Sequence, residues 1–135
     1  MIYLLDTNTC IVYLKRPNSS VGKRLQELSP SDIAVCSIVK AELFYGAMRS
    51  NNPTRTLALQ EEFLNRFTSL PFDDSATITF GRIRAQLAAL GTPIGPYDLQ
   101  IAAIALTHNL ILVTHNIREF SRVEGLRLED WENTD

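Results

Sequence analysis

The fold class follows from one stretch near the start of the chain, Ile2-Tyr3-Leu4-Leu5-Asp6-Thr7-Asn8. Its four consecutive apolar residues, closed by an aspartate, are typical of a short β-strand that is buried on both faces. Strands of this kind occur in parallel sheets, where a helix returns the chain to the starting edge after each strand. We therefore expect residues 2–5 to form the first and central strand of a parallel sheet.

The rest of the chain alternates apolar runs with helical periodicities. Further strands are predicted at residues 33–36, 70–72 and 110–113, with an edge strand at 126–128. Helices are predicted at residues 10–14, 18–28, 37–49, 53–67, 74–90 and 96–109, with Ser37 capping the third and Asp74 or Ser75 capping the fifth. The pattern predicts a three-layer α/β/α fold with a parallel sheet of about four or five strands.

Length and composition limit the class of protein. A chain of 135 residues that is 45% hydrophobic and 21% charged predicts a single globular domain over residues 1–135. With 15 acidic and 13 basic side chains the net charge is −2. This balance argues against attachment to nucleic acid or to an anionic membrane by bulk charge, but it leaves room for a local basic groove.

No segment predicts export or membrane insertion. Residues 99–117 carry no formal charge, but polar side chains interrupt them repeatedly, and the N-terminus lacks the basic residues of a signal peptide. Cys10 and Cys36 both lie in apolar stretches and are expected to be buried thiols in a reducing cytosol. We therefore expect a cytoplasmic protein with no membrane partner.

Three acidic residues stand out by their surroundings. Asp6 follows the first strand, and sites in parallel sheets form beyond the carboxyl ends of strands. Glu42 lies on an apolar helical face, where an unpaired charge is costly. Asp98 lies in the first turn of a helix that begins at Pro96, on a stripe of apolar residues. Each also has a purely structural reading: a helix cap, a solvated glutamate and a favourable charge at a helix N-terminus.

The three carboxylates are more informative together than singly. If they converged to about 5 Å, each pair would repel by about 3 kcal/mol at an effective dielectric constant of about 20. Three such pairs would cost about 10 kcal/mol, which is comparable to the whole stability of a domain. Such a cluster needs protons or cations, and a set of oxygen ligands favours Mg²⁺ or Mn²⁺. A site of this kind suits phosphoryl chemistry.

A fourth position follows the strand predicted at residues 110–113. It comprises Thr114, His115 and Asn116, with Glu119 three residues further on. In a parallel sheet this segment emerges at the same edge as Asp6. His115 could act as a general base there, although a single loop histidine is more often plain polar surface.

Four sequence blocks resemble one known family. The blocks are Leu4-Leu5-Asp6-Thr7-Asn8, Ala41-Glu42-Leu43-Phe44-Tyr45-Gly46, Ile94-Gly95-Pro96-Tyr97-Asp98 and Val113-Thr114-His115-Asn116 with Glu119-Phe120. In this order and spacing they resemble the VapC-type toxin ribonucleases of the PIN-domain family. The resemblance covers nearly the whole chain and implies a metal-dependent endoribonuclease.

The resemblance also assigns roles to residues. It implies that Asp6, Glu42 and Asp98 bind the metal ion, with catalytic roles for these three and for Asn116 and Glu119. Many members have a fourth acid where this chain has Asn116, which leaves three alternatives. Asn116 binds through its carbonyl oxygen or a water, Glu119 supplies the charge, or one metal ion suffices.

Supporting groups and chemistry follow from the same resemblance. Thr7, Asn8 and Thr114 look like groups that orient the ligands or the phosphate. The implied reaction is in-line attack of a hydroxide on an RNA phosphodiester, without use of the 2′-hydroxyl and leaving a 5′-phosphate.

The resemblance further implies substrates and partners. Similar toxins cleave tRNA in the anticodon stem-loop, which inhibits translation in the prokaryotic cytoplasm, and a VapB-type antitoxin neutralises them. A homodimer and a larger toxin–antitoxin assembly are expected. Ten of the thirteen basic residues are arginines, which suit phosphate contact. Arg49, Arg82 and Arg84 are the candidates for RNA binding at the rim of the site.

Two other functions compete with this interpretation. A phosphoacceptor domain of the receiver or haloacid-dehalogenase type also places an aspartate at a strand end, but no later strand end offers the expected lysine and paired acids. Stable acyl-phosphate labelling of Asp6 would favour it. A non-catalytic RNA- or protein-binding module with a PIN-like fold gains some support from Asn116 at the fourth position. Metal-dependent RNA cleavage that Asp6→Asn abolishes would exclude it.

Overall fold

The computed structural model describes residues 1–132; residues 133–135 of the predicted domain lie outside the described part. Five strands form one sheet: β1 (Tyr3–Leu5), β2 (Ile33–Cys36), β3 (Thr68–Leu70), β4 (Ile111–Val113) and β5 (Leu128–Glu129). Every pairing is parallel and the strand order is β3-β2-β1-β4-β5. The first strand is therefore the central one, as its apolar run predicts.

Seven α-helices and a 3₁₀ turn (Pro30–Asp32) connect the strands in the described part. The helices are α1 (Thr7–Lys15), α2 (Ser20–Glu27), α3 (Ser37–Met48), α4 (Pro53–Leu64), α5 (Asp74–Ala89), α6 (Pro96–Thr107) and α7 (Ile117–Phe120). Between residues 1 and 132, no helix has the length and apolar character needed to span a membrane.

The helices cover both faces of the sheet centre. Successive side chains of a strand point to opposite faces, and every residue of β1 and β2 is buried. This confirms the α/β class and the layered arrangement. Leu4 and Leu5 are completely inaccessible, so truncation of either to alanine would cost about 2–5 kcal/mol.

The topology creates a crevice beside the central strand. From β1 the chain moves outward through β2 and β3, then returns to the other side of β1 with β4 and β5. Ligand sites in open parallel sheets form where the strand order reverses, outside the carboxyl ends of the strands. Here that point lies between the ends of β1 and β4, which lead into Asp6 and Thr114.

Two predicted helix caps were wrong. Helix α3 begins at Ser37 itself, its N-cap is Cys36, and no side chain caps it. Helix α5 is capped by Asp73, whose Oδ1 accepts a hydrogen bond of 3.0 Å from the amide of Ala76, rather than by Asp74 or Ser75. The predicted stop of this helix is correct: Gly91 follows its last residues with a φ of +69°, a conformation that glycine adopts without strain.

Some element boundaries also differ from the prediction. Strand β3 ends at Leu70 instead of extending to residue 72, because Pro71 has no N–H to donate to the neighbouring strand. Helix α4 stops at Leu64, three residues early, since the strand begins at Thr68. The edge strand lies at Leu128–Glu129, later than residues 126–128.

Candidate active site

Asp6 lies at the junction of β1 and α1. Its amide donates to the carbonyl of Val113 at 3.1 Å, which continues the pairing of β1 with β4. Its Oδ1 accepts a 2.8 Å hydrogen bond from the amide of Thr9 and so caps α1. The structural interpretation of Asp6 as a helix cap is thus correct. It does not exclude a ligand role, because a carboxylate has a second oxygen.

The carboxyl group of Asp6 is costly to ionise where it lies. The residue is only 5% exposed, and this burial is the main cause that raises its pKa. Hydrogen bonds from Thr114 and Thr9 lower the pKa, and the nearby charge of Glu42 raises it further. The balance is an upward shift, so the site favours either a proton or a cation at Asp6.

Glu42 is held against α1. It is half-buried in the middle of α3, and its Oε1 accepts a 2.6 Å hydrogen bond from the hydroxyl of Thr7. The two residues are 35 positions apart, so the packing of α1 on α3 brings them together. This contact fixes Glu42 toward the residue that follows Asp6 rather than toward bulk water.

Asp98 completes the cluster from the first turn of α6. Burial raises the pKa of this half-buried carboxyl to about 6, and the negative charges of Glu119, Glu42 and Asp6 add to the increase. The charges of all three neighbours act on this one carboxyl, so the four carboxylates lie near one another at this edge of the sheet. We call the cluster of Asp6, Glu42, Asp98 and Glu119 the acidic pocket.

Glu119 links two loops of the acidic pocket. Its Oε1 accepts from the amide of Gly95 at 3.2 Å, in the loop before α6. Its Oε2 accepts from Nδ2 of Asn116 at 2.8 Å, in the segment after β4. Both carboxylate oxygens are therefore already engaged, and the pair of Asn116 and Glu119 ties the β4 end to the helix that carries Asp98.

The predicted supporting residues occupy different positions. Thr7 contacts Glu42, as described, and Thr114 is fully buried beside Asp6. The Thr114 hydroxyl also accepts a 3.0 Å hydrogen bond from the amide of Asn116. Asn8 is exposed, and its side chain makes no hydrogen bond within residues 1–132. Two of the three thus touch the acidic pocket or its supporting segment.

The three candidate arginines are all exposed but differ in their surroundings. The guanidinium of Arg49 lies 5.4 Å from the ring centre of Tyr45 at the end of α3. Arg84 lies 5.9 Å from the ring centre of Phe80 and borders a hollow near the start of α6. Arg82 is exposed on α5.

His115 belongs to a separate cluster at the surface. Its Nδ1 lies 2.9 Å from Oδ2 of Asp130 and 3.9 Å from Oε2 of Glu132. The hydrogen bond with Asp130 is the main cause that raises the pKa of the imidazole, and the charge of Glu132 adds to it. The ring is therefore engaged with the C-terminal segment rather than with the three central acids.

A second concave region adjoins the acidic pocket. A groove of about 610 Å³ lies between α1, α3 and α4 and reaches Glu42. We call it the helical groove; its lining includes Ile11, Leu14, Leu43, Leu59 and Phe63, with Lys15 and Arg66 at its border. Leu59 is 52% exposed, so this apolar surface faces solvent.

Several contributors to the site escaped the sequence analysis. Thr9 anchors Asp6 through its amide, and its hydroxyl donates to the carbonyl of Val113 at 3.2 Å. The amide of Gly95 holds Glu119. The spacing of Asp6 and Thr9 is that of a helix cap and could have indicated the first contact. No local sequence pattern indicates the contact between the amide of Gly95 and Glu119.

The donor set of the acidic pocket fits a hard divalent cation. Its groups are carboxylate oxygens, with no cysteine or histidine among Asp6, Glu42, Asp98 and Glu119. Oxygen ligands suit Mg²⁺ and Mn²⁺. Burial raises the pKa of Asp6 and of Asp98, so a cation at this position would stabilise their ionised forms.

Comparison with known proteins matches this architecture. A family model described as "PIN domain" matches residues 3–126. The tRNA(fMet)-specific endonuclease VapC of Salmonella typhimurium is 46% identical over 129 residues, which cover 96% of this chain and 97% of that protein. Ribonuclease VapC2 of Haemophilus influenzae (strain Rd) is 43% identical with the same coverage. A chain of the DNA-bound VapBC crystal structure from Salmonella typhimurium superposes with a TM-score of 0.92 at 44% identity, covering 97% of this chain and 98% of that one.

Proposed function

Since the chain belongs to the PIN-domain family, and within it to the VapC ribonucleases, we propose that its acidic pocket cleaves RNA with the help of a divalent metal ion. One observation carries this proposal. Asp6 follows β1, Glu119 lies on α7 after β4, and Glu42 and Asp98 lie on α3 and α6, so four acidic side chains are near the switch point of the sheet. Burial and the charges of the other three raise the pKa of Asp98 to about 6. Without a cation such a cluster would only cost stability.

We propose that Asp6, Glu42 and Asp98 hold Mg²⁺ or Mn²⁺. When bound, the ion supplies positive charge that neutralises a phosphate and lowers the pKa of a water. Thr7 would keep Glu42 directed into the pocket through its 2.6 Å hydrogen bond, and Thr114 with Thr9 would do the same for Asp6.

Asn116 and Glu119 would act by positioning. Both oxygens of Glu119 accept hydrogen bonds, from Gly95 and from Asn116, so the pair sets the distance between the β4 end and α6. This arrangement favours the alternative in which Glu119 contributes charge near Asp98 while Asn116 orients it. Removal of either would shift the position of Asp98 rather than remove a ligand.

The proposed substrate is tRNA, cleaved in the anticodon stem-loop, with inhibition of translation as the result. The relative from Salmonella typhimurium is named as tRNA(fMet)-specific, and it covers nearly the whole chain. The net charge of −2 means that bulk attraction does not drive RNA binding, so local groups such as Arg49 and the shape of the RNA would select the substrate. The reaction would take place in the cytoplasm of a prokaryote.

We also propose a VapB-type antitoxin as partner, in a complex that contains a homodimer of this chain. The structural relative is a VapBC complex. The helical groove offers an apolar surface for a segment of the antitoxin, and it reaches Glu42. A partner seated there would lie directly beside the acidic pocket and could block it.

The test is to sequence the 5′ ends of RNA fragments produced from total RNA in Mg²⁺. Wild-type protein is compared with Asp6→Asn and with Asp74→Asn, a matched control that removes an exposed aspartate from the first turn of α5. We expect defined tRNA ends with a 5′-phosphate for wild type and for Asp74→Asn, and none for Asp6→Asn.

Other outcomes would point to other functions. RNA binding without Mg²⁺-dependent cleavage would favour a non-catalytic module. A stable acyl phosphate on Asp6 would favour a phosphoacceptor domain. Equal cleavage by Asp6→Asn and wild type would remove Asp6 from the site. Far-UV circular dichroism of each variant separates loss of the site from loss of the fold.

A further inference from the structure

The exposed aromatic side chains of this chain are unevenly placed. All eleven aromatic residues lie within residues 1–132, and nine of them are buried or half-buried. The exceptions are Tyr45 and Tyr97, which are 63% and 58% exposed. An aromatic ring that is exposed to water does not contribute to the hydrophobic core of the protein. Exposed rings of this kind often serve as contact surfaces.

Both exposed rings are close in sequence to proposed metal ligands. Tyr97 immediately precedes Asp98 in the first turn of α6. Tyr45 follows Glu42 by three residues of α3, a rise of about 4.5 Å along the helix. Because α3 packs on α6, the two rings stand on neighbouring helices that also carry the proposed ligands Glu42 and Asp98.

The ring of Tyr45 is accompanied by a positive charge. Arg49, one turn further along α3, has its guanidinium 5.4 Å from the ring centre and its Nη1 3.4 Å from the phenolic oxygen. Both side chains are exposed. A flat ring next to a guanidinium offers one surface for a nucleobase and one for a phosphate, the combination found where proteins bind single strands.

We propose that Tyr45 and Tyr97 stack on unpaired bases on either side of the phosphate that is cleaved. This inference rests on the proposed ribonuclease function. In a duplex the base faces are covered by neighbouring pairs, whereas bases of a loop can be splayed onto aromatic side chains. The duplex form of the same sequence should therefore be a poor substrate.

Cleavage of two matched RNAs tests whether each tyrosine ring acts through the base that it contacts. One RNA carries normal bases on both sides of the mapped cleavage point, and the other carries abasic sites there. With intact RNA, Tyr45→Leu and Tyr97→Leu should each lower kcat/KM about 10-fold. With abasic RNA the wild type should already show that loss, and the leucine variants should add little to it.

Two controls make the comparison specific. Tyr45→Phe and Tyr97→Phe keep the ring and should recover most of the loss, which a role of the hydroxyl alone would not allow. Leu90→Ser removes another exposed apolar side chain, 64% accessible, at the end of α5, and should leave kcat/KM unaffected. Equal losses on intact and abasic RNA, or a changed oligomeric state of the leucine variants in light scattering, would overturn the stacking role.

A binding measurement separates this inference from the ribonuclease function. In an Asp6→Asn background, a single-stranded RNA with 2-aminopurine is titrated with protein, and stacking is read as fluorescence quenching. Quenching that Tyr45→Leu with Tyr97→Leu abolishes supports stacking even if wild type cleaves no RNA. Cleavage by wild type without ring-dependent quenching would refute stacking and leave the ribonuclease intact.

Discussion

The acidic pocket and the helical groove meet at Glu42 but are built on opposite principles. The pocket concentrates buried or half-buried carboxylates whose mutual repulsion opposes folding, so its geometry depends on hydrogen bonds from residues such as Thr7 and Thr9. The groove exposes apolar side chains such as Leu59, which do not destabilise the fold but contribute no burial energy to it while they face water. The comparison teaches that the two regions would be stabilised by different ligands: a cation would offset the repulsion in the acidic pocket, and an apolar surface would cover the helical groove.

The largest expected effect comes from removing one charge of the pocket. Asp98→Asn should lower RNA cleavage in Mg²⁺ by more than about 100-fold, because it removes a proposed metal ligand. Initial rates on a defined tRNA substrate check this. Asp74→Asn serves as the control, and activity within a few-fold of wild type in Asp98→Asn would show that the carboxylate is structural only.

A charge placed in the helical groove should weaken antitoxin binding and leave RNA cleavage unchanged. Leu59→Arg should weaken antitoxin binding by about 30-fold, since an unpaired guanidinium would be buried against apolar groups, while RNA cleavage stays the same. Calorimetric titration with the antitoxin measures the affinity. Leu90→Arg on α5 is the matched control, and equal weakening by both variants would exclude the groove as the binding surface.

The boundary between the two regions can be probed at Thr7. Thr7→Val keeps the shape of the side chain but removes the hydroxyl that holds Glu42, and it should reduce kcat by about 10-fold. Thr54→Val, at an exposed position of α4, should have no effect. If kcat is unchanged in Thr7→Val, the 2.6 Å hydrogen bond does not position Glu42 for catalysis.

The cost of the pocket should appear in the pH dependence of stability. The pKa of Asp98 rises from 3.8 to about 6 on folding, so the folded state binds more protons than the unfolded state between these values. Stability in the absence of metal should therefore fall as pH increases from about 4 to about 6. Because Asp98 is partly solvated, we expect only about 1 kcal/mol from this group.

Urea unfolding in EDTA measures that contribution. Asp98→Asn should match wild type near pH 4 and exceed its stability near pH 7.5. A variant that is less stable than wild type at the higher pH would mean that the carboxylate stabilises the fold.

The smallest expected effect concerns the surface cluster of His115. Its pKa is raised by Asp130, so the pair stabilises the fold below the ordinary histidine pKa of 6.5, and the contribution disappears as pH rises through the folded value. His115→Gln should lower Tm slightly at pH 5.5 and not at pH 9. A loss of the same size at both pH values would mean that packing, not charge, accounts for the contact.

The fold was predictable because its signals are local. The apolar run that ends at Asp6 indicates a buried central strand, and residues 33–36 carry the same pattern. Errors occurred where neighbouring residues offer equivalent chemistry: Asp73 and Asp74 can both cap a helix, and only the path of the chain selects Asp73. The strand predicted at residues 70–72 lies instead at Thr68–Leu70, because Pro71 cannot continue the pairing.

The site was predictable only in part, for a physical reason. Asp6 could be found from its place at a strand end, but the bond from Thr7 to Glu42 spans 35 positions and depends on how two helices pack. The hydrogen bond from Gly95 to Glu119 is donated by a backbone amide, which every residue except proline has, so the sequence does not indicate it. The helical groove needs three helices at once, so no single periodicity reveals it.

The most direct test of a single cation site in the acidic pocket is the change of Tm with Mn²⁺ at pH 7.5. A ligand that binds only the folded state at 100 times its Kd adds about 2.7 kcal/mol to stability. Wild type and His115→Gln should show this rise with increasing Mn²⁺, and Asp98→Asn should not. An unchanged rise in Asp98→Asn, or its loss in His115→Gln, would place the cation outside the acidic pocket and contradict the proposed centre.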